Sequence, residues 1–321
     1  RGTMILLLTH SQDFYTIDGV EQHLAAYGAE YRRLNTDHFP SAFGISVEPG
    51  SAMTLQAGQF ELDLGQVTSV WARRVWPGHV PEDFPPQAAA ASQAQCRNFF
   101  HEILGELENA YWINPWAAGQ AAESKLRQLR LAQELGFRVP RTLVTTSPQQ
   151  VLDFLDQHPE GLITKMLLPT VQSMDGHPDF AYTTRIDNQA LEGLEVIRWM
   201  PQIFQPYLRR LREYRVIVVA QDFFVGAVQV ANPDLVDWRA ATDADGIEWS
   251  EAKLGPQLQQ KILSLMQRLG LVYGALDFLL DEEGQEPYFL EINQAGEWGW
   301  LERDLGLPIA DRIARALVQR R

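Results

Sequence analysis

The N-terminal part of the chain alternates short apolar runs with stretches of helical period. Ile5 to Thr9 is a continuous apolar run that ends in a polar residue, the pattern of a parallel strand buried on both faces. Val20, Leu24 and Tyr27 recur at helical spacing within Asp13 to Tyr27, and Ala29 to Leu34 returns to strand character. These three segments predict a βαβ opening. The loop after the first strand, THSQDF, carries no glycines, so the dinucleotide fingerprint is absent. Gly44 to Leu64 alternates and turns at Pro49-Gly50, which predicts a hairpin. Val67 to Val75 reads as a strand running into Arg73, Arg74 and Trp76. A long amphipathic helix is predicted over Ala88 to Glu108, then a short strand over Tyr111 to Asn114, stopped by Pro115.

The pattern then changes. Ala117 to Leu135 reads as one helix carrying Lys125, Arg127 and Arg130, closed by Gly136 and Pro140. Strands are predicted over Thr142 to Thr145, Leu162 to Leu168 and Tyr182 to Ile186, with a short helix over Pro148 to His158. Pro169 to Ala181 is polar, with an Asp175-Gly176 turn, and Gln202 to Tyr207 is extended. Arg215 to Ala220 and Phe223 to Val230 predict a hairpin around Gln221-Asp222. An amphipathic helix over Pro256 to Leu269 ends at Gly270, and a final helix covers Leu307 to Val318. Boundaries near Ala118 and Gln205 divide the chain into an α/β unit over 1–118, an α+β unit over 119–205 and a second α+β unit over 206–321.

Tyr273 to Leu301 holds the densest chemistry. YGALDFLL and PYFLEIN predict two strands joined by an acidic loop. A hairpin centred on Gly284 sets Asp277 opposite Glu291, and Asn293, two residues on, faces the same way. Opposed acids repel. One reading is a hard cation such as Mg²⁺ or Mn²⁺ held by three oxygen ligands, with phosphate and water completing an octahedron. The other is a solvated outer face, and a register shift or bulge would separate the acids.

Composition narrows the class. The chain has 321 residues, 45% hydrophobic and 21% charged, as in globular proteins with sizeable cores. A formal net charge of −14 argues against nucleic acid and anionic membrane as partners. A single cysteine, Cys96, precludes an intramolecular disulfide framework, and neither a membrane-spanning run nor a signal peptide is read; a cytoplasmic location is expected. The histidines lack zinc-ligand spacing, and neither a GxSxG elbow nor a GxxxxGK[ST] loop occurs. Lys165, alone in an apolar strand, is either an edge residue facing solvent or a phosphate clamp. Lys125, Glu213, Arg215 and Arg239 each read singly as surface charges, although Arg215 opens the apolar strand RVIVVA.

As an ordered set these residues say more. Lys125, Lys165, Gln202–Tyr207, Glu213–Arg215, Asp237–Arg239 and Asp277…Glu291-x-Asn293 resemble the sequence order of an ATP-grasp ligase. The segments NP-x₉-KLRQLRLAQELGFRVPRTLVT, IFQ-x-Y, YRVIVV, VDWR and EINQAGEWGWLERDLGLPIA resemble the microviridin-type ribosomal peptide maturases, or graspetide synthetases. RimK-like amino-acid ligases share the nucleotide and metal pattern but resemble the Trp-rich tail less.

The resemblance implies an N-terminal pre-ATP-grasp βαβ domain followed by two α+β subdomains enclosing a nucleotide. It implies ATP and Mg²⁺, with Mn²⁺ as the alternative, a ribosomally made precursor peptide with a leader as partner, and a homodimer. Lys125 and Lys165 would neutralise phosphates, the backbone of Gln205, Pro206 and Tyr207 would meet adenine, and Glu213 would hold the ribose. Asp277, Glu291 and Asn293 would hold the metal, and Arg215 and Arg239 would stabilise the transferring phosphoryl group. Pro169 to Ala181 would be a lid that excludes water. Pro206 stands where the family tends to carry an acid, so that side chain's role is lost while the carbonyl remains. The implied reaction joins a side-chain carboxylate, activated by ATP, to a Ser/Thr hydroxyl or Lys amine of the same peptide. The alternative is a RimK-like ligase that adds amino acids to a protein or small molecule.

Overall fold

The computed structural model describes residues 4–48, 53–57, 60–76, 78, 80–81, 84–167, 170–172, 178–180, 183–229, 236, 247–284 and 286–320. All six residues of β1 (Met4–Thr9) are buried, as its unbroken apolar run requires. Helix α1 (Thr16–Ala26) turns Ile17, Val20 and Leu24 inward and leads to β2 (Glu30–Asn35), parallel to β1. Three short strands follow, β3 (Gly44–Ser46), β4 (Thr54–Ala57) and β5 (Phe60–Asp63), which pair antiparallel as a sheet of their own. The hairpin expected over Gly44 to Leu64 is therefore three-stranded, and its expected turn at Pro49-Gly50 lies outside the described residues. β6 (Val67–Ala72), α2 (Pro86–Gly105) and β7 (Tyr111–Ile113) complete a parallel sheet ordered β2-β1-β6-β7.

The single helix expected over Ala117 to Leu135 is two, α3 (Trp116–Ala122) and α4 (Lys125–Glu134). The cause is local: Ser124 is extended, and its hydroxyl accepts the Arg127 N–H at 3.4 Å as an N-cap. The next sheet comprises β8 (Leu143–Thr145), β9 (Leu162–Met166), β12 (Thr184–Arg185) and β13 (Gln202–Pro206), antiparallel in the order β12-β9-β13-β8. Helices α5 (Pro148–Asp156) and α6 (Asn188–Glu192) fall within this segment, and Val151 and Phe154 of α5 pack on Leu162 and Phe204. β10 (Thr170–Gln172) and β11 (Pro178–Phe180) pair with each other as a two-stranded ribbon.

The largest sheet is antiparallel, ordered β16-β15-β14-β17-β18, from β14 (Arg210–Val219), β15 (Asp222–Gln229), β16 (Glu248–Glu251), β17 (Tyr273–Asp281) and β18 (Tyr288–Asn293). Val219 pairs with Asp222, so the β14–β15 turn is Ala220-Gln221, one residue earlier than expected. Strand alternation sends the two faces into different cores. Val216, Val218, Leu276 and Phe278 pack with α4 and with Ile262, Leu265 and Met266 of α7 (Pro256–Leu269). Ile217, Val219, Tyr273 and Ala275 pack instead with β1, α1 and the last helix. Between them, α8 (Gly299–Leu305) precedes that last helix, α9 (Ile309–Gln319). Ile313 and Leu317 of α9 join Ile5, Leu7 and Val20 in one core, and Ser69 donates to the Leu317 carbonyl at 2.7 Å. No helix among the described residues is long and apolar enough to cross a membrane.

Asn114 locks the parallel sheet to the largest one; these are the first and third of the large sheets, with β12-β9-β13-β8 as the second. Its Oδ1 accepts the N–H groups of Val272 and Tyr273 at 2.6 and 2.7 Å. Its Nδ2 donates to the carbonyls of Tyr273 and Gln294 at 2.9 and 3.0 Å. Asn114→Ala would strip partners from buried backbone groups at the head of β17, at a cost of about 3 kcal/mol. A shift of the urea midpoint at unchanged m-value measures it, and an unshifted midpoint contradicts the clamp.

Candidate active site

The β17–β18 hairpin pairs Asp277 with Glu291 and Ala275 with Asn293, as its centring on Gly284 predicts. A bulge is present too, one step past the acids: Phe278 pairs with Phe289, leaving Leu290 as the extra residue. Instead of separating the carboxylates, it turns Leu290 and Glu291 together toward the cleft, while Phe289 and Ile292 stay in the core.

Each acid carries its own cation from a different element. Arg215, opposite Asp277 on β14, brings Nη1 within 3.1 Å of both carboxylate oxygens. Lys125, in the first turn of α4, places Nζ 2.7 Å from Glu291 Oε2 and 3.4 Å from Asn293 Oδ1. Asn293 Nδ2 donates to Glu291 Oε1 at 3.2 Å. Burial opposes ionisation of Glu291, but the charges of Lys125 and Lys165, with the hydrogen bonds from Lys125 and Asn293, outweigh it and hold the carboxyl well below the usual carboxylate range. Helix α4 is pinned for this task by buried Gln128, one turn beyond Lys125. Its Nε2 donates to the carbonyls of Ala122 and Ile292 at 2.6 and 2.8 Å, and its Oε1 accepts the Ile292 N–H at 3.1 Å.

A cavity opens from this end between the second and third sheets. Lys125, Lys165, Glu213, Asp277 and Glu291 line it with the strand Gln205, Pro206 and Tyr207. Arg215 and Asn293 are bonded to its acids from behind. Lys165 is not at a sheet edge, because β9 lies between β12 and β13, with Lys165 opposite Ile203. The walls are apolar: Pro140, Ile163, Met166, Leu208, Leu279 and Leu290. Gln205 is buried with its amide on Thr142 Oγ1 at 2.8 Å, and the Tyr207 N–H is donated to the Gly161 carbonyl at 2.8 Å. Arg210 also lines the cavity, ion-paired with Glu213. Sequence reasoning missed it, since nothing in LRRLRE marks which arginine turns inward. Trp300, from the Trp-rich tail, lies 5.3 Å from the Arg215 guanidinium and covers it.

Some expected site residues have no description. Asp237 and Arg239 lie outside the described residues, although the adjacent Val236 lines the cavity. Of the segment expected to form a lid, only 170–172 and 178–180 are described, as the ribbon. Among the described residues no three His, Cys, Asp or Glu side chains gather as a metal cluster. The donor set at the acid pair is two carboxylates and one amide oxygen. That set fits a hard cation that takes its remaining oxygens from phosphate and water, and it does not fit zinc.

Comparison with known proteins agrees with this geometry. Residues 4–120 match the MvdD pre-ATP grasp domain and residues 122–317 the RimK-like ATP-grasp domain. The structure of macrocyclase MdnB from Microcystis aeruginosa MRC is 36% identical, with a TM-score of 0.84, covering 98% of this chain and 99% of that one. Macrocyclase MdnC of the same organism, solved bound with precursor peptide MdnA, is 28% identical with a TM-score of 0.89, covering 99% of this chain and all (100%) of that one. The probable alpha-L-glutamate ligase of Citrobacter koseri is 24% identical over 213 residues, 65% of this chain and 67% of that protein. With its two matched domains in tandem and this cleft between its sheets, the chain belongs to the ATP-grasp ligases, ADP-forming enzymes, with a RimK-like ATP-grasp domain behind an MvdD-type pre-ATP-grasp domain.

Proposed function

We propose that the chain is an ATP-dependent macrocyclase of a ribosomally made precursor peptide. The observation that carries this reading is end-to-end likeness, N-terminal domain included, to a macrocyclase at 36% identity. The likeness to a glutamate ligase spans 65% of the chain at 24% identity and favours the RimK-like alternative less. In this reading residues 1–118 form the pre-ATP-grasp domain, and 119–205 and 206–321 clasp the nucleotide.

The base would lie between the apolar walls, its edge facing the Gln205–Tyr207 strand. Pro206 has no N–H and Tyr207 has already donated its own, so carbonyl oxygens are what this strand offers the base. Glu213, oriented by Arg210, would take the ribose hydroxyls. Lys125 and Lys165 would neutralise phosphate charge, and Asp277, Glu291 and Asn293 would hold Mg²⁺. The metal would contribute charge neutralisation at the phosphates.

A peptide Asp or Glu carboxylate then attacks the γ-phosphorus. The Pγ–O bond to the β-phosphate breaks, ADP departs, and an acyl phosphate forms. A Ser or Thr hydroxyl, or a Lys amine, attacks the acyl carbon; inorganic phosphate leaves, the attacking group loses its proton, and a side-chain ester or amide closes the ring. Arg215, with Arg239, would steady the phosphoryl oxygens. None of these steps needs a nucleophile from the enzyme.

Co-expression with short genes beside its own, followed by mass spectrometry of their peptides, tests the reading. A loss of one water per crosslink is expected. Addition of amino-acid residues to an acceptor carboxylate would favour the RimK-like alternative. Glu291→Gln should fold normally yet lower peptide-dependent ADP formation by roughly a hundredfold or more, the scale for losing one preorganised electrostatic contact. Unchanged ADP release would sink the metal assignment. Lys165→Ala should weaken ATP binding by about tenfold to a hundredfold, the range for one charge-assisted hydrogen bond. Wild-type affinity by calorimetry would remove Lys165 from the phosphate site.

A further inference from the structure

A second cluster of polar side chains lies outside the nucleotide cavity, at the carboxyl ends of β1 and β6. The chain leaves β1 for β2 on one side and returns to β6 on the other, so strand order reverses between them. In open parallel sheets that point leaves a crevice in which ligands sit. Here it holds buried polar groups: Thr9, His10 and Asp13 from the first strand's end and Arg73 from the sixth's. Thr9 donates to Asp13, Arg73 Nε lies 3.0 Å from Asp13, and its Nη2 lies 2.6 Å from Glu297. Arg74 shares Glu297. Asp13 and Glu297 are thus each paired with an arginine.

His10 does not share in that pairing. Its Nδ1 accepts the Gln12 N–H at 3.2 Å, which leaves the ring proton on Nε2. Nε2 is buried and has no hydrogen-bond partner among the described residues. Burial, opposed by Asp13 and Asp37 and joined by Arg74 and Arg73, holds its pKa below the ordinary imidazole value, so the ring is neutral near pH 7. An unmet donor in a dry site is costly unless a ligand takes it. The ring stacks on Trp76, centroids 4.1 Å apart, and Trp76 is 55% exposed. Phe14 and Tyr15 on the same rim are exposed as well, and Tyr15 has a φ of 38°, a conformation rare for a residue with a side chain. The rim loop is pressed on the Trp-rich tail: a Cβ on Gly299 would stand 2.8 Å from the Tyr15 ring.

The Trp-rich tail links this point to the acid pair. Arg73 and Arg74 hold Glu297, and Trp300, three residues on, covers the Arg215 guanidinium that carries Asp277. A substrate seated here would meet the same tail that covers Arg215.

We infer that this crevice seats the reacting segment of the substrate peptide, with His10 Nε2–H donating to a neutral oxygen of that segment, a backbone carbonyl or hydroxyl, under the aromatic rim of Trp76. The inference rests on the macrocyclase reading. An exposed aromatic rim over an unmet neutral donor suits a peptide better than a free anion, since the arginines are already matched by acids.

The probe is the peptide that loses water on co-expression. His10→Phe keeps the ring's bulk and removes the donor; His10→Gln restores an N–H near the Nε2 position. His10→Phe is expected to raise the peptide KM about tenfold, the upper range for one neutral hydrogen bond, with kcat little changed and affinity for an ATP analogue intact. His10→Gln should recover most of the loss. Trp76→Ala, at an exposed position, should raise the same KM and gives a second readout if His10→Phe does not fold. Wild-type peptide KM in both His10→Phe and Trp76→Ala overturns the subsite while leaving the macrocyclase reading intact. Equal loss in His10→Phe and His10→Gln overturns the donor role. No water loss with the wild-type enzyme overturns the macrocyclase reading itself and the subsite with it.

Discussion

The architecture of the cleft turns on two carboxylates that are set against each other and must not be left so. Asp277 and Glu291 are cross-strand partners, an arrangement that is destabilising by itself. The fold relieves it by bringing Arg215 from β14 to one and Lys125 from α4 to the other. Neither cation is near its acid in sequence, so the pair can be neutralised only when the third sheet has formed and α4 has docked on β18. The site is thus a product of tertiary packing, and Gln128, whose amide holds α4 to the Ile292 backbone, is as much a part of it as Lys125.

The same packing explains why the cleft lies between the second and third sheets. One face of the third sheet is covered by α4 and α7, the other by β1, α1 and α9. Toward the Arg210–Asp281 end the core shared with β1 and α1 stops, and there the alternation that gives Ile217 and Ala275 to that core gives Glu213, Asp277 and Leu279 to the cavity. The final helix packs against the first sheet, so the N-terminal domain is held by the shared core and by Asn114. The opening of the chain and its Trp-rich tail are thereby kept side by side.

What could be read in advance follows what chemistry leaves in the pattern. The βαβ opening was legible because a fully buried strand must be apolar throughout. The Asp277–Glu291 pairing was read from a hairpin centred on Gly284, yet the pairs nearest the turn, Phe278 with Phe289 and Leu279 with Tyr288, are offset by one, and the bulge at Leu290 restores the reading at the acids. The break between α3 and α4 was missed although Ser124 is an ordinary N-cap residue, since the apolar period continues across it. The bulge at Leu290 was not legible: a leucine fits either face, and only the pairing of Phe278 with Phe289 fixes the extra residue. Arg210 was hidden among neighbours of identical charge, and the strand irregularity between Arg210 and Arg212 decides which one turns to the cavity. His10 left no mark, because what distinguishes it is a missing hydrogen bond, which a sequence does not record.

Arg215 ties these observations together. It is buried, its Nη1 serves Asp277, its face is covered by Trp300, and its Nε has no hydrogen-bond partner among the described residues. A guanidinium held dry with a donor unspent costs stability that a purely structural ion pair would not need to lose. The cost makes sense if charge develops beside it during reaction, because a donor already fixed and desolvated needs no reorganisation when the phosphoryl oxygens arrive. At the end of β6 stand Arg73 and Arg74, both paired with Glu297 of the tail. Beside Asp277 the donor without a partner among the described residues is the cationic Arg215 Nε; at the end of β1 it is the neutral His10 Nε2. Under the proposed reaction that asymmetry would suit an anionic phosphoryl group on one side and a peptide backbone or hydroxyl on the other.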